Sequence, residues 1–425
     1  MVVSSTGPLP SYAEAAAFVA ARARRLAAKK PAGERVKLVR AAGRVLAETL
    51  RADRDQPPFA RSTRDGYACR AAEASAHRPL SLKGATRAGE VPSGPLVHGS
   101  VWEIMTGAPV LRGADAVMML EQVEAARHAG APTIRLLPQH TIAPGDNVVP
   151  RGAEARKGQA LLPAGTLMGP AQIALAASCG RTELTVYARP RVAILSTGDE
   201  LAPIAAAPGP GQIRNSSSAM LAAMVVAGGG EPWILPIARD TDRSLNAALS
   251  RAAAADLLLI TGGVSAGKFD LVEPALARLG ARFHFTGVRI QPGKPVVFGE
   301  LSRPATHPVH SHAKCWLFGL PGNPVSSAVT FQLFAAPVLA ALAGRIDRGP
   351  RFALAQLSAP VKTKPGLTRF LPAACTFTGP VPKVALVPWH GSGDLAATAR
   401  ANCYLVVPED AGALEAGATV NILLF

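Results

Sequence analysis

Four short stretches carry residue types suited to holding anions and cations. Residues 260–270 read ITGGVSAGKFD, with Gly262, Gly263, Ser265 and Gly267 crowded together and the carboxylate of Asp270 closing the run. A glycine-rich turn that opens a helix gathers backbone N–H groups around an anion. A carboxylate beside that anion repels it unless a cation lies between, so the pattern asks for an anionic ligand carried with a divalent metal. STGDEL, residues 196–201, turns on Thr197 and Gly198 and leaves Asp199 and Glu200 beyond an apolar run. In GLPGNP, residues 319–324, Pro321 and Pro324 stiffen a turn while Gly322 and Asn323 permit unusual backbone angles, and a helix follows at once. IARDTD contributes Asp240 and Asp242.

Each stretch has a plain structural alternative. STGDEL also suits a helix-capping turn, TGGVSAGKFD a tight positive-φ turn with Asp270 as the next N-cap, and GLPGNP a well-made helix start. Asp240 and Asp242 read equally well as solvent-facing acids. Together, however, the four loops place acids and N–H-rich turns along one sheet edge, which suits metal-assisted work on a phosphate or another oxyanion. No Ser–His–Asp order or reactive-cysteine context competes. His307, His310 and His312 crowd into THPVHSH without a Cys or acid to complete a metal site, and read as a solvated loop.

The elements that must position these loops follow from hydrophobic periodicity. From RPRVAILS onward, buried strands such as VAILS and DLLLI alternate with helical runs such as SSAMLAAMVVAGG and DRSLNAALSRAAAA. That rhythm predicts a largely parallel sheet covered on both faces, with ligands at the carboxyl ends of its strands. FHFTGVRI and KCWLFGLPG read as further strands, and PVSSAVTFQLFAAPVLAALAG as a long final helix. Upstream, residues 11–29 predict a helix capped by Ser11 with Glu14 at its third position, and GERVKLVRAAGRVLAETL predicts a second. Residues 53–145 change to short β-like runs between Gly and Pro, a β-rich insertion; helical signal returns at 170–180, as though the first domain resumes. Beyond residue 348 short alternating strands form a small β domain.

A chain of 425 residues implies several domains, and 48% apolar content is ample for packed cores. No uninterrupted apolar run is long enough to span a membrane, so no membrane association is expected. The first residues lack a basic segment followed by an apolar core, so no export signal is expected. Five scattered cysteines without a CxxC pair argue against a zinc or disulfide scaffold and fit a cytoplasmic location. The formal charge of +16 favours acidic partners, but the basic residues form no block interleaved with aromatics, which are 5% of the chain, so nucleic acid is not expected.

These motifs also run in a recognisable order. RDGYA (64–68), IMTGAPV (104–110), GADAVMMLE (113–121), RPRVAILSTGDEL, TGGVSAGKFD, PGKPVVFG and GLPGNPVSS resemble those of the molybdopterin molybdenumtransferase family of MoeA and the gephyrin E domain. The resemblance covers nearly the whole chain, strongest over 57–330 and faint in the last domain. It implies an α/β multidomain protein: a discontinuous N-terminal domain (8–52 and 146–188), a β-rich insertion domain (53–145), a molybdopterin-binding α/β domain with a mostly parallel sheet (189–347) and a C-terminal β barrel (348–425). It further implies a homodimer, with molybdopterin adenylyltransferase and molybdoenzyme apoproteins as partners. The implied reaction takes adenylylated molybdopterin and molybdate to molybdenum cofactor and AMP with Mg²⁺. Alternatives are an adenylyltransferase-like enzyme, against which RDGYA and IMTGAP argue, and a non-catalytic dimeric scaffold of the gephyrin E-domain type.

Carried over residue by residue, the resemblance makes Asp65 and Thr106 cleft residues from the partner's insertion domain. It makes Glu200, Asp240 and Asp270 the acids that position metal and substrate. Gly262, Gly263 and Ser265 would cradle a phosphate; Lys294, Pro321, Gly322, Asn323 and Pro324 would line the molybdate and pterin site, with Ser392 of WHGSGDL joining them. The chain departs from the family pattern in places. Ala60, Arg61 and Arg64 replace an acid, an amide and an apolar residue; Gly287 and Gln291 stand where basic residues are usual; and Glu154 stands for an Asp. Arg289 lies two residues beyond Gly287, on the same face of a continuous strand, and with Arg64 is expected to restore positive charge for the oxyanion.

Overall fold

The computed structural model describes residues 8–128, 130–263, 271–302, 314–347 and 349–425. By internal contact density the chain forms two compact units: the described parts of Met1–Ala47, Gly165–Gly169 and Glu183–Phe425, and those of Glu48–Ala164 and Pro170–Thr182.

The first unit is built on a six-stranded sheet in the order Glu231–Ile234, Arg191–Ser196, Leu257–Thr261, Lys314–Leu320, Val297–Ser302, Arg282–Phe285. Its first four strands are parallel, as the strand–helix alternation predicts; the last two run antiparallel along one edge. Period-two geometry explains why the strands are apolar throughout. Val192, Ile194, Leu257 and Leu259 turn to one face and pack with Leu221, Val225, Val329 and Leu339. Ala193, Leu195, Leu258 and Ile260 turn to the other and meet Leu245, Leu249, Val272 and Leu276. Burial on both faces pins the register, and the register fixes where the strand-end loops emerge.

The Tyr12–Leu26 helix joins the first face through Ala15, Val19, Ala23 and Leu26. Its start is the expected capping box: Glu14 N–H donates to Ser11 Oγ at 3.2 Å, and Ser11 N–H donates to the Glu14 carboxylate at 2.8 Å. These Ser11 donors hold the Glu14 carboxyl below its ordinary range. The long final helix runs over Pro324–Leu342, with one π turn at Phe331–Ala335. It is apolar and long enough to cross a membrane, yet 89% of that apolar window is buried in the fold.

Two expectations fail locally. GERVKLVRAAGRVLAETL is not a helix: Gly33–Lys37 is a strand paired antiparallel with Glu183–Tyr187, and Leu38–Ala41 is a 3₁₀ turn. Pairing with a distant strand outweighs the modest helix propensity of a segment that begins with Gly and contains Val36 and Val39. FHFTGVRI is not one strand either. It stops at Phe285, and Ile290–Gln291 resumes as a parallel partner of Thr368–Thr376.

The C-terminal segment closes into the expected barrel. Phe352–Leu357, Thr368–Thr376, Lys383–Leu386, Cys403–Val407 and Thr419–Leu424 pair around a ring that ends where it began, with Ala373, Val384, Leu405 and Ile422 inside. The second unit carries its own six-stranded sheet, Ala116–Met119, Gly66–Cys69, Ser100–Ile104, Leu80–Thr86, Ala131–Leu136, Val123–His128, over a core that includes Cys69, Val101, Met118 and Ile134.

One buried polar group sets a pH limit on this fold. His284, 3% exposed, faces Phe18, Phe298 and Trp316, with its Nε2 at 3.7 Å from the Glu300 carboxylate. Burial, reinforced by Arg22, holds its pKa down to about 4 from the ordinary 6.5. Neutral His284 therefore contributes stability that is full above pH 6.5 and lost as the pH falls towards 4. We expect the thermal midpoint to drop through that window, and His284→Gln to show a shallower drop in parallel scans.

Candidate anion-binding cleft

The strand ends of the first unit open onto a cleft of about 1010 Å³. Glu200, Gly262, Gly263, Lys294, Pro321, Gly322, Asn323, Pro324 and Ser392 all line it. Three of the four loops singled out in the sequence thus converge as their position at strand ends requires.

Close backbone approach explains the glycines. Gly262 has φ +90°, and a Cβ there would lie 2.4 Å from the Thr197 carbonyl oxygen. Gly263 has φ +63°, and its Cβ would lie 2.6 Å from Val272 Cγ2. Gly198, at φ +145°, leaves room for the Glu200 carboxylate, which a Cβ at 198 would meet at 2.4 Å. Gly293, at φ +108°, fits against Thr330 Cγ2, where a Cβ would come to 2.4 Å, and Lys294 follows it into the cleft. Each substitution would push a neighbour that itself belongs to, or supports, the lining.

The GLPGNP turn is held from several sides. The Ser327 hydroxyl donates to the Pro321 carbonyl, as does Thr261 Oγ1 at 3.4 Å, and Ser217 Oγ donates to the Gly322 carbonyl at 3.4 Å. Asn323 does not cap its own helix with its side chain; Nδ2 donates to Ser392 Oγ at 2.8 Å instead. Ser392 also accepts the Val325 N–H at its carbonyl, 3.1 Å. The barrel turn and the strand-end turn are therefore stitched together through backbone and side chain.

Several expected residues sit elsewhere. Asp240 is not part of the lining; it accepts the Thr197 hydroxyl at 2.7 Å, behind a residue that is. Arg289 is not part of it either: its Nε lies 2.9 Å from Glu409 Oε1, and its N–H donates to the Pro10 carbonyl at 2.8 Å. Arg289 shares a face with Gly287 only on one continuous strand, and the strand ends at Phe285. Ser265 and Asp270, like His307, His310 and His312, lie outside the described residues. Glu200 is then the carboxylate that the described lining offers, and no group of three His, Cys, Asp or Glu side chains placed to hold a metal occurs among the described residues.

Asp65 and Thr106 belong to the second unit, where they are partners. Thr106 donates its N–H and its hydroxyl to Asp65 Oδ1 at 2.6 and 2.8 Å. The N–H first, then the hydroxyl, holds the Asp65 carboxyl below its ordinary range, so it is anionic at neutral pH. In the same unit Arg61 pairs with Glu154 at 3.0 Å, joining two of the chain's departures from the family pattern, and the Arg64 backbone closes a small turn on Ser62 Oγ.

The sequence reading missed part of the lining. Arg214, Asn215, Ser216 and Ser217 enter from GQIRNSSS and Trp389 from the barrel; Gln291, the departure beside PGKP, is in the lining too. A signal for Asn215 existed: Asn followed at the third position by Ser before an apolar run marks a helix start. Asn215 Oδ1 indeed accepts the Ser218 N–H at 3.2 Å, and Ser196 Oγ donates to it at 3.2 Å.

A largely parallel sheet, covered on both faces and opening at its strand ends onto a cleft, defines an α/β protein of the doubly wound class. Comparison with known proteins narrows this. The MoeA N-terminal region (domains I and II) matches residues 10–180, a probable molybdopterin-binding domain 193–341, and the MoeA C-terminal region (domain IV) 355–425. The molybdopterin molybdenumtransferase of Nostoc sp. is 36% identical over 79% of this chain and 75% of its own length; that of Bacillus subtilis is 33% identical over 90% and 87%. The crystal structure of a molybdopterin biosynthesis MoeA protein from Pyrococcus horikoshii superposes with TM-score 0.71 at 30% identity, covering 98% of this chain and 99% of that one. The chain belongs to the MoeA family.

Two outcomes follow from this geometry. Gly262→Ala should lower the thermal midpoint and disturb the cleft, whereas Gly322→Ala, whose Cβ would make an ordinary 3.6 Å contact with Gly262 Cα, should leave the midpoint near wild type. Thr106→Val keeps the N–H but removes the hydroxyl, so the Asp65 pKa, followed by carboxyl NMR shifts, should rise towards its ordinary value without reaching it.

Proposed function

We propose that this chain transfers molybdenum from molybdate to adenylylated molybdopterin, releasing AMP and completing the molybdenum cofactor. The observation that carries the reading is the convergence of Lys294, Glu200, the Gly262–Gly263 turn and the Pro321–Pro324 turn on one cleft. Family membership supports it, since the relatives named above are molybdopterin molybdenumtransferases.

The substrates are both anions, and breaking the adenylate's phosphoanhydride shifts further charge onto phosphate oxygens. Lys294 would supply a full positive charge there, and the main chain at Gly263 and Gly322, which lines the cleft, would offer N–H groups to an oxyanion; the Gly262 N–H is already taken by the Leu320 carbonyl at 3.4 Å. Because the turns are fixed by Ser327, Thr261, Ser217 and Ser392, these donors need little rearrangement as charge develops. The Asn323–Ser392 link keeps the barrel turn beside the same loop. No side chain in this account forms a covalent intermediate.

Mg²⁺ suits a site in which one or two protein carboxylates join substrate phosphates. Glu200, which lines the cleft, would take that role, with Asp270 carried over from the family pattern; Asp240, engaged by Thr197, would act by orienting that strand end. Bound there, the metal would neutralise phosphate oxygens. The assembly we propose is a homodimer.

The test is AMP release from adenylylated molybdopterin and molybdate by purified protein. Lys294→Gln should lower the rate roughly 10²-fold with the fold intact, the cost typical of losing one preorganised donor. Near-wild-type release by Lys294→Gln, or none from wild type, contradicts the reading.

A further inference from the structure

Trp389 stands out in the cleft because its neighbours there are polar or small, or aliphatic. Among the described residues it is the aromatic side chain of the lining. It is half-buried, with one part packed against the apolar core of the α/β sheet and another against the core of the barrel. Among the described residues no other ring and no cation stacks on it. An indole that lines an open cleft with no ring or cation stacked on it leaves apolar, polarisable surface for something else to cover.

The turn that follows Trp389 is locked. Asp394 Oδ2 accepts the His390 N–H at 3.1 Å, Oδ1 accepts the Ala397 N–H at 2.9 Å, and the Asp394 N–H donates to the Gly391 carbonyl at 3.0 Å. Those three bonds close residues 390–397 into one turn, and the Ala397 N–H, then the His390 N–H, hold the Asp394 carboxyl below its ordinary range. Three residues past the indole, Ser392 ties the turn to Asn323 and Val325. The turn after Trp389 is thus held against GLPGNP, and the ring itself is held by its packing against both cores, which is what a stacking wall requires.

We propose that Trp389 is a stacking platform for a planar heteroaromatic group carried by an anionic ligand of this cleft. The inference deepens the proposed function, because adenylylated molybdopterin offers two such groups, its adenine and its pterin. The ring face recognises either one, while Lys294 and the glycine turns take the anionic end. Stacking of this kind is worth roughly 1–3 kcal/mol by substitution, so loss of the aromatic face should weaken binding by roughly tenfold or more.

The experiment compares Trp389→Phe, which keeps an aromatic face, with Trp389→Leu, which keeps apolar bulk alone. Calorimetric binding of AMP, of pterin-6-carboxylate and of ribose 5-phosphate is measured for both variants and wild type. Trp389→Leu should bind one of the two ring-bearing probes roughly tenfold more weakly, Trp389→Phe should stay close to wild type, and ribose 5-phosphate should bind all three alike. The probe that loses affinity identifies the ring. Equal binding of AMP and the pterin by wild type and Trp389→Leu overturns the proposal. So does a parallel loss of ribose 5-phosphate, which would make Trp389 a packing wedge between core and barrel. If Trp389→Leu does not fold, tryptophan emission decides: quenching by AMP or the pterin in wild type should vanish in Trp389→Phe, and persistence there overturns the idea. AMP release by wild type, run alongside, separates the two readings. Its absence removes the transferase reading, while the binding comparison still rules on the stacking role.

Discussion

At the mouth of the sheet, backbone meets backbone. The Thr197 carbonyl oxygen occupies the space a Cβ at 262 would need, and Gly322 comes near Gly262 from the neighbouring strand. Parallel pairing of Arg191–Ser196, Leu257–Thr261 and Lys314–Leu320 puts these three chain ends side by side. Without side chains between them, the loops can converge on one small volume, their own amides tied strand to strand, as Gly262 N–H is to the Leu320 carbonyl and Thr197 N–H to the Thr261 carbonyl. Lysine and carboxylate chemistry is useful there only because the close approach has already fixed the frame. The apolar layers on both faces of the sheet matter to function for the same reason: they hold the register that brings the strand ends level.

The second consequence concerns the barrel. Besides Leu367, its contribution to the cleft comes through Trp389 and the turn after it, which is joined to the strand-end loop by Asn323 and Ser392 and stiffened by Asp394. A capping side chain is diverted from its own helix to make that junction. Local helix stability is traded for a fixed relation between two structural layers of the same unit, which is the relation a ligand spanning them would need.

Much of this was legible in the residues alone. The period-two apolar strands, the Ser11–Glu14 capping box and the glycine turns each have a local physical cause, and each appears in the fold. What escaped depended on partners far away in sequence. Gly33–Lys37 reads as helix until Glu183–Tyr187 is set beside it. Arg289 reads as a cleft cation only if its strand continues, and Glu409 claims its guanidinium instead. Asp240 carries the right charge at the right strand end, but the Thr197 hydroxyl engages it outside the cleft lining. Trp389 opens the WHGSGDL turn, which the family resemblance ties to the site through Ser392 alone, and nothing in its neighbours' spacing says that the indole itself reaches the cleft. Convergence of loops at strand ends is legible from periodicity; contacts made by single side chains to distant segments leave no local trace.

The account rests on the strand-end turns and Lys294 forming one oxyanion site. A crystal soaked in molybdate and measured at the molybdenum edge would report on it directly. Anomalous density should fall between Lys294, the Gly262–Gly263 turn and the Pro321–Pro324 turn. Density confined to surface arginines, or its absence from that cleft at saturating molybdate, would contradict the account.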